Sequence, residues 1–109
     1  MQKAKRNITL FSKATGRPDR FCVISARKVE DNFISQKIVD RLGLKIHFDA
    51  AIVSSITWGS KQFCSTGRFV DLLIPMSGST KNAAHRFHVL KECPFDMLLG
   101  MLATTPSIY

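Results

Sequence analysis

Apolar and polar positions alternate over short runs along most of this chain, and one stretch departs from that period. Residues 7–12, with Ile8, Leu10 and Phe11, read as a strand. Residues 14–19 follow as a turn, because Gly16 tolerates positive φ and Pro18 fixes its own. The apolar run Phe21-Cys22-Val23-Ile24 marks a second strand over 20–25, so the first two strands form a hairpin. Between 29 and 44 the period changes. Phe33, Ile34, Ile38, Val39 and Leu42 recur at helical spacing, and Gly43 stands where a helix would stop. Ser35 is placed to cap a short helix over 36–41, since its hydroxyl can accept a backbone N–H left open in the first turn.

The second half returns to strand patterning. Residues 50–57 form one candidate, and Trp58-Gly59-Ser60-Lys61 reads as a turn. Residues 62–65 and 68–75 read as two further strands, with Ser65-Thr66-Gly67 as a turn before the second. Residues 77–82 are a polar loop. Over 85–90, Phe87 and Val89 fall on one face, and Arg86, His88 and Leu90 on the other. Pro94 ends that segment, and 96–99 is a last short apolar strand closed by Gly100. The pattern predicts a mostly β chain with one short helix, of the barrel or sandwich kind.

Length and composition narrow this further. The 109 residues suffice for one domain and not for two, and 45% apolar with 22% charged residues is a folding composition. Sixteen Lys and Arg against eight Asp and Glu give a formal charge of +8, which attracts polyanions in a nonspecific, salt-sensitive way. The basic residues are dispersed, apart from Lys3, Lys5 and Arg6, so nucleic-acid contact is expected to be weak and nonspecific. Cys22, Cys64 and Cys93 make an odd set with no CxxC pair, and read as reduced, mostly buried thiols. This predicts an intracellular setting, cytoplasmic or nuclear. No segment is apolar enough to span a bilayer, so no membrane association is expected. His85 and His88 lie three apart on a strand, on opposite faces, and read as solvent-facing; no metal or other cofactor is expected.

Three segments, taken in order, resemble the retropepsin-like aspartic proteases of retroviruses and retrotransposons. The first is Asn32-Phe33-Ile34-Ser35-Gln36-Lys37-Ile38-Val39-Asp40-Arg41-Leu42-Gly43-Leu44, similar to the stretch that follows the catalytic triplet in retroelement members. The second is Thr57-Trp58-Gly59 with Gly67-Arg68-Phe69-Val70-Asp71-Leu72, similar to the flap hairpin and its return strand. The third is Phe87-His88-Val89 with Pro94-Phe95-Asp96-Met97-Leu98-Leu99-Gly100, which resembles the strand and the hydrophobic-hydrophobic-Gly motif behind the active site. The resemblance spans about residues 20–102 of a single domain covering 1–109. It implies a small closed barrel with one short helix. It also implies that Leu98 and Leu99 pack beneath the loop that carries the catalytic residue, and that Gly100 lets the backbone pass close by.

The catalytic triplet itself is missing. Aspartic proteases need two carboxylates sharing one proton around a water, and each retropepsin subunit supplies one across a two-fold axis. Counting back from Asn32 in the family pattern Asp-Ser-Gly-x-x-x-Asn-Phe-Ile-Ser, the triplet falls on Ala26, Arg27 and Lys28. Ala cannot activate water, Arg only donates hydrogen bonds, and Lys lacks the backbone freedom of Gly. Glu30 and Asp31 are the only nearby carboxylates that a rebuilt loop could use. In a family-like homodimer, Arg27 and Lys28 of both chains would gather at the axis and repel. Either that dimer is lost, or the former cleft accepts an acidic ligand. Met101 stands where Asp or Asn often follows the Gly motif, a second departure bearing on the dimer.

The resemblance therefore implies a catalytically inactive, retroelement-type homologue that acts as an interaction module for a peptide or protein segment, with Thr57, Trp58 and Gly59 at the binding hairpin. Two rival expectations are an active aspartic endopeptidase using Glu30 or Asp31, and a basic nucleic-acid-binding module.

Overall fold

A computed structural model describes residues 4–12, 14–26, 28–75 and 82–100. Seven strands and one helix follow in the order β1 (Ala4–Phe11), β2 (Pro18–Ser25), β3 (Asn32–Ser35), α1 (Gln36–Leu42), β4 (His47–Trp58), β5 (Lys61–Pro75), β6 (Asn82–Leu90) and β7 (Met97–Leu99). The strands form one mixed sheet in the order β1-β2-β7-β3-β6-β5-β4. β2 pairs in parallel with β7, β7 runs antiparallel to β3, and β3 runs parallel to β6. Hairpins β1–β2 and β4–β5 lie at the two ends.

The mostly β architecture with one short helix follows the pattern in the sequence, but the sheet is not closed. Among the described residues β1 and β4 are not paired with each other, so the closed barrel expected above is replaced by an open sheet. Closure needs strands of matched tilt and stagger. Here the central strands β7 and β3 have only 3 and 4 residues, between outer strands of 8 to 15. Instead, the sheet is covered on both faces. On one, Ile38, Val39 and Leu42 of α1 pack with Val23, Ile34, Phe87 and Val89. On the other, Ile56, Trp58 and Phe63 of the β4–β5 hairpin pack with Ile24, Phe33, Leu90 and Leu98.

Strands β1, β4 and β6 start earlier than read from the sequence, and Trp58 and Lys61, read as turn, end β4 and begin β5. Two further differences have identifiable reasons. Residues 32–35 belong to a strand, not to the helical stretch; all four are buried, because β3 is flanked by β7 and β6 and covered on both faces. A strand buried on both sides loses its alternation. Residues 61–75 form one continuous strand, so Ser65-Thr66-Gly67 is no turn. Gly67 has φ 98, and a Cβ there would lie 2.7 Å from the Asp49 carbonyl oxygen, where the β4–β5 register shifts between Phe48 and Val53. Glycine is required at that crossing. Of the polar loop read over 77–82, residues 77–81 lie outside the described residues, and Asn82 is not loop but the first residue of β6, paired with Pro75.

The helix follows the sequence closely. Ser35 Oγ accepts from the Lys37 N–H at 3.3 Å. Gly43, at φ 67, donates to the Asp40 carbonyl, and Leu44 N donates to the Val39 carbonyl at 3.1 Å. These bonds satisfy carbonyls that a helix end otherwise leaves open. Ser12, fully buried, donates from Oγ to the Arg41 carbonyl at 3.0 Å and fastens the first hairpin to the helix end. No helix among the described residues is long and apolar enough to cross a membrane.

Candidate functional site

The segment after β2 turns sharply and returns as β3, with β7 inserted between the two strands. Ala26 begins that turn. It is fully buried, its N–H donates to the Leu99 carbonyl at 2.9 Å, and its own carbonyl accepts from Val29 N at 3.2 Å. Its methyl belongs to the apolar cluster with Phe33, Leu98, Phe95, Ile56 and Trp58. The position that the family pattern assigns to a catalytic carboxylate is therefore a buried, apolar spot beneath the hairpin. Arg27 lies outside the described residues, and Lys28 is exposed.

Behind this turn the chain passes very close to itself. A Cβ on Gly100 would stand 2.3 Å from the Asp31 carbonyl oxygen and 2.7 Å from that of Val29, so only glycine fits. Asn32 closes the seam. Its Oδ1 accepts from Gly100 N at 2.8 Å, and its Nδ2 donates to the Arg86 carbonyl at 3.1 Å. One buried amide thus joins the end of β7, the start of β3 and β6. Sequence reasoning passed over Asn32 as a working residue; an isolated Asn at the head of the apolar Phe33-Ile34 pair was the signal.

Glu30 and Asp31 sit at the rim of a depression of about 420 Å³, which Asn32, His85, Arg86 and His88 also line. Glu30 is exposed and Asp31 half-buried. Asp31 Oδ2 accepts a hydrogen bond from Ser54 Oγ on β4, and His88 Nε2 lies 3.8 Å from the same oxygen. His88 is 7% exposed, which corrects the solvent-facing reading. Its ring lies against Phe33, with centroids 5.7 Å apart, and its Nδ1 has no hydrogen-bond partner among the described residues. Burial pushes its pKa below the ordinary histidine value; the Asp31 charge opposes this and the Arg86 charge adds to it. Burial lowers that of His85 as well.

At the hairpin, Trp58 pairs with Lys61 across Gly59, whose φ is 63, and Ser60. Thr57 points outward. Trp58 is half-buried and meets the Phe95 ring edge-on, with centroids 5.0 Å apart. The three thiols are unpaired: Cys22 and Cys93 are half-buried, whereas Cys64 is exposed, contrary to the mostly buried set expected. Burial raises the Cys93 pKa to about 11, so that thiol is a poor nucleophile near neutral pH. Among the described residues no three His, Cys, Asp or Glu side chains converge to hold a metal ion. A scan of family models and a search of curated proteins find no match to the chain.

Proposed function

We propose that the chain is a catalytically inactive relative of the retropepsin-like proteases, of retroelement type, that binds an extended peptide or protein segment beside the loop at 26–31. The observation that carries this reading is the full burial of Ala26 in an apolar cluster, at the point where the family chemistry requires a hydrated carboxylate. The close fit of Gly100 against the carbonyls of Val29 and Asp31 supports the resemblance in that same loop. An extended ligand is the natural occupant, because β4 is the edge strand of the sheet among the described residues, paired there only with β5, and an edge strand offers backbone groups for strand addition. The charge of +8, with Lys28 exposed in the loop, favours an acidic segment.

The rival endopeptidase would rest on Glu30 and Asp31. Against it stands the engagement of Asp31, whose Oδ2 accepts from Ser54 Oγ and lies 3.8 Å from His88 Nε2, so that this carboxylate already has partners within its own chain. The test is incubation of the purified chain with a mixed peptide library from acidic to neutral pH. Parallel samples carry a transition-state aspartic-protease inhibitor or the Glu30→Ala/Asp31→Ala double substitution. No inhibitor-sensitive cleavage is expected, together with saturable binding of extended acidic peptides that weakens with salt. Cleavage abolished by both the inhibitor and the double substitution would make the chain an enzyme.

A further inference from the structure

β5 and β6 diverge before either strand ends. They pair from Pro75↔Asn82 to Phe69↔His88, and there the ladder stops. Yet β5 reaches back to Lys61, and β6 runs on to Leu90, where it still pairs with Ser35 of β3. The cause lies in β5. Gly67, at φ 98, turns the strand where it passes the Asp49 carbonyl, so residues 61–66 follow β4 into the hairpin and leave the line of β6. Ser65, buried beside the bend, donates from Oγ to the Arg68 carbonyl at 3.1 Å and braces it. Between the diverging strands lies a groove of about 330 Å³, whose lining includes Phe63, Cys64, Arg68, Leu90, Lys91 and Glu92. Among the described residues, no strand pairs with 61–66 on the side away from β4. Unpaired donors and acceptors along that side make it a second strand edge.

We propose that this groove takes an extended acidic segment, which adds to β5 over 61–66 in the gap that β6 leaves. The class of ligand rests on the peptide-binding reading above, whereas the place rests on the divergence of the two strands. Charge decides between the two edges. β4 carries Asp49 as its one charged side chain. β5 begins at Lys61, and the groove sets Arg68 and Lys91 against the single acid Glu92. Six residues of strand span about 20 Å, so the ligand needs about six extended residues. Its side chains would alternate between the half-buried Phe63 and the exposed Cys64 and Thr66. The gap is already open, so the hairpin need not move. A nucleic-acid strand would meet the same cations, but its phosphodiester backbone has no N–H groups for the open carbonyls of β5, and a peptide backbone has.

The probe is a capped peptide of alternating Glu and Val, with a Lys and Val peptide as control. Cys64 is exposed in the groove, so its reaction with a maleimide reports occupancy, and mass spectrometry separates it from Cys22 and Cys93. The acidic peptide is expected to bind and to slow modification of Cys64 several-fold, and the basic peptide to do neither. Arg68→Glu and Lys91→Glu should each weaken binding roughly fivefold. Lys91 is exposed, so its variant decides should Arg68→Glu fail to fold. Val53→Glu, at an exposed position of β4, should weaken binding less than either. A larger effect from Val53→Glu than from the other two, with Cys64 still reactive, puts the peptide on β4; it overturns the groove and leaves the peptide-binding reading standing. No binding of the acidic peptide overturns both. Protection of Cys64 by an oligothymidylate and not by the peptide overturns the proposal in favour of a nucleic acid.

Discussion

His88 turns the burial of one ring into a pH dependence of the whole fold. Its surroundings are Asp31 and Glu30 of the loop, Arg86 and His85 of its own strand, the ring of Phe33 on β3, and Phe69, its cross-strand partner on β5. The balance lowers its pKa, with desolvation leading, so the unfolded chain takes up a proton at this site before the folded chain does. Stability from this residue is complete above about pH 6.5 and is lost as pH falls through the lowered value. Urea unfolding between about pH 7 and pH 5 should show stability declining with acid, and His88→Leu should flatten that slope. His85, shifted the same way by burial, leaves a residual slope. An unchanged slope in His88→Leu would place the pH dependence elsewhere. Alternation along β6 put His88 opposite Phe87 and Val89, which the sheet bears out. It could not show that the β4–β5 hairpin folds over that face, since such cover comes from residues thirty positions away.

At the scale of elements, what was legible depended on whether local chemistry marked the boundary. The helix was readable because Ser35 and Gly43 supply its caps and Ile38, Val39 and Leu42 its buried stripe. β3 was not, because burial on both faces erases the period of two and leaves Phe33-Ile34 compatible with a helical pattern. The seam between β7 and the 29–31 loop was half legible. Gly100 was marked as a point of close approach, but its hydrogen bond to Asn32 depends on a pairing 68 residues apart. The fit there predicts a large effect from one methyl group. Gly100→Ala forces apart the end of β7 and the carbonyls of Val29 and Asp31, neither of which is the end of a flexible side chain. Overpacking against backbone should cost about 3 kcal/mol in equilibrium unfolding. A loss within about 0.5 kcal/mol would show that the loop yields freely.

For the molecule as a whole, the open sheet and the buried Ala26 bear on the same question: whether the proposed resemblance to retropepsin-like proteases leaves room for their chemistry. A family-type enzyme needs a carboxylate from each of two subunits meeting water at a shared axis. Here the Ala26 side chain lies in an apolar cluster formed by β2, β3, β7 and the β4–β5 hairpin, so its surroundings are filled from within a single chain. Ala26→Asp would therefore introduce an unpaired carboxylate into an apolar interior. Its folded-state pKa would rise above the unfolded value of about 3.9, because burial disfavours the charged form. The substitution should be tolerated best near pH 4 and become more damaging as pH rises, with a deficit of about 3 kcal/mol or more by pH 7. Paired urea titrations of the native chain and Ala26→Asp at those two pH values measure this difference directly. Peptide cleavage should be absent at both. An Ala26→Asp chain that is stable at neutral pH and cleaves peptides in acid would mean that the hairpin leaves water at this position, and that a carboxylate here suffices for the chemistry.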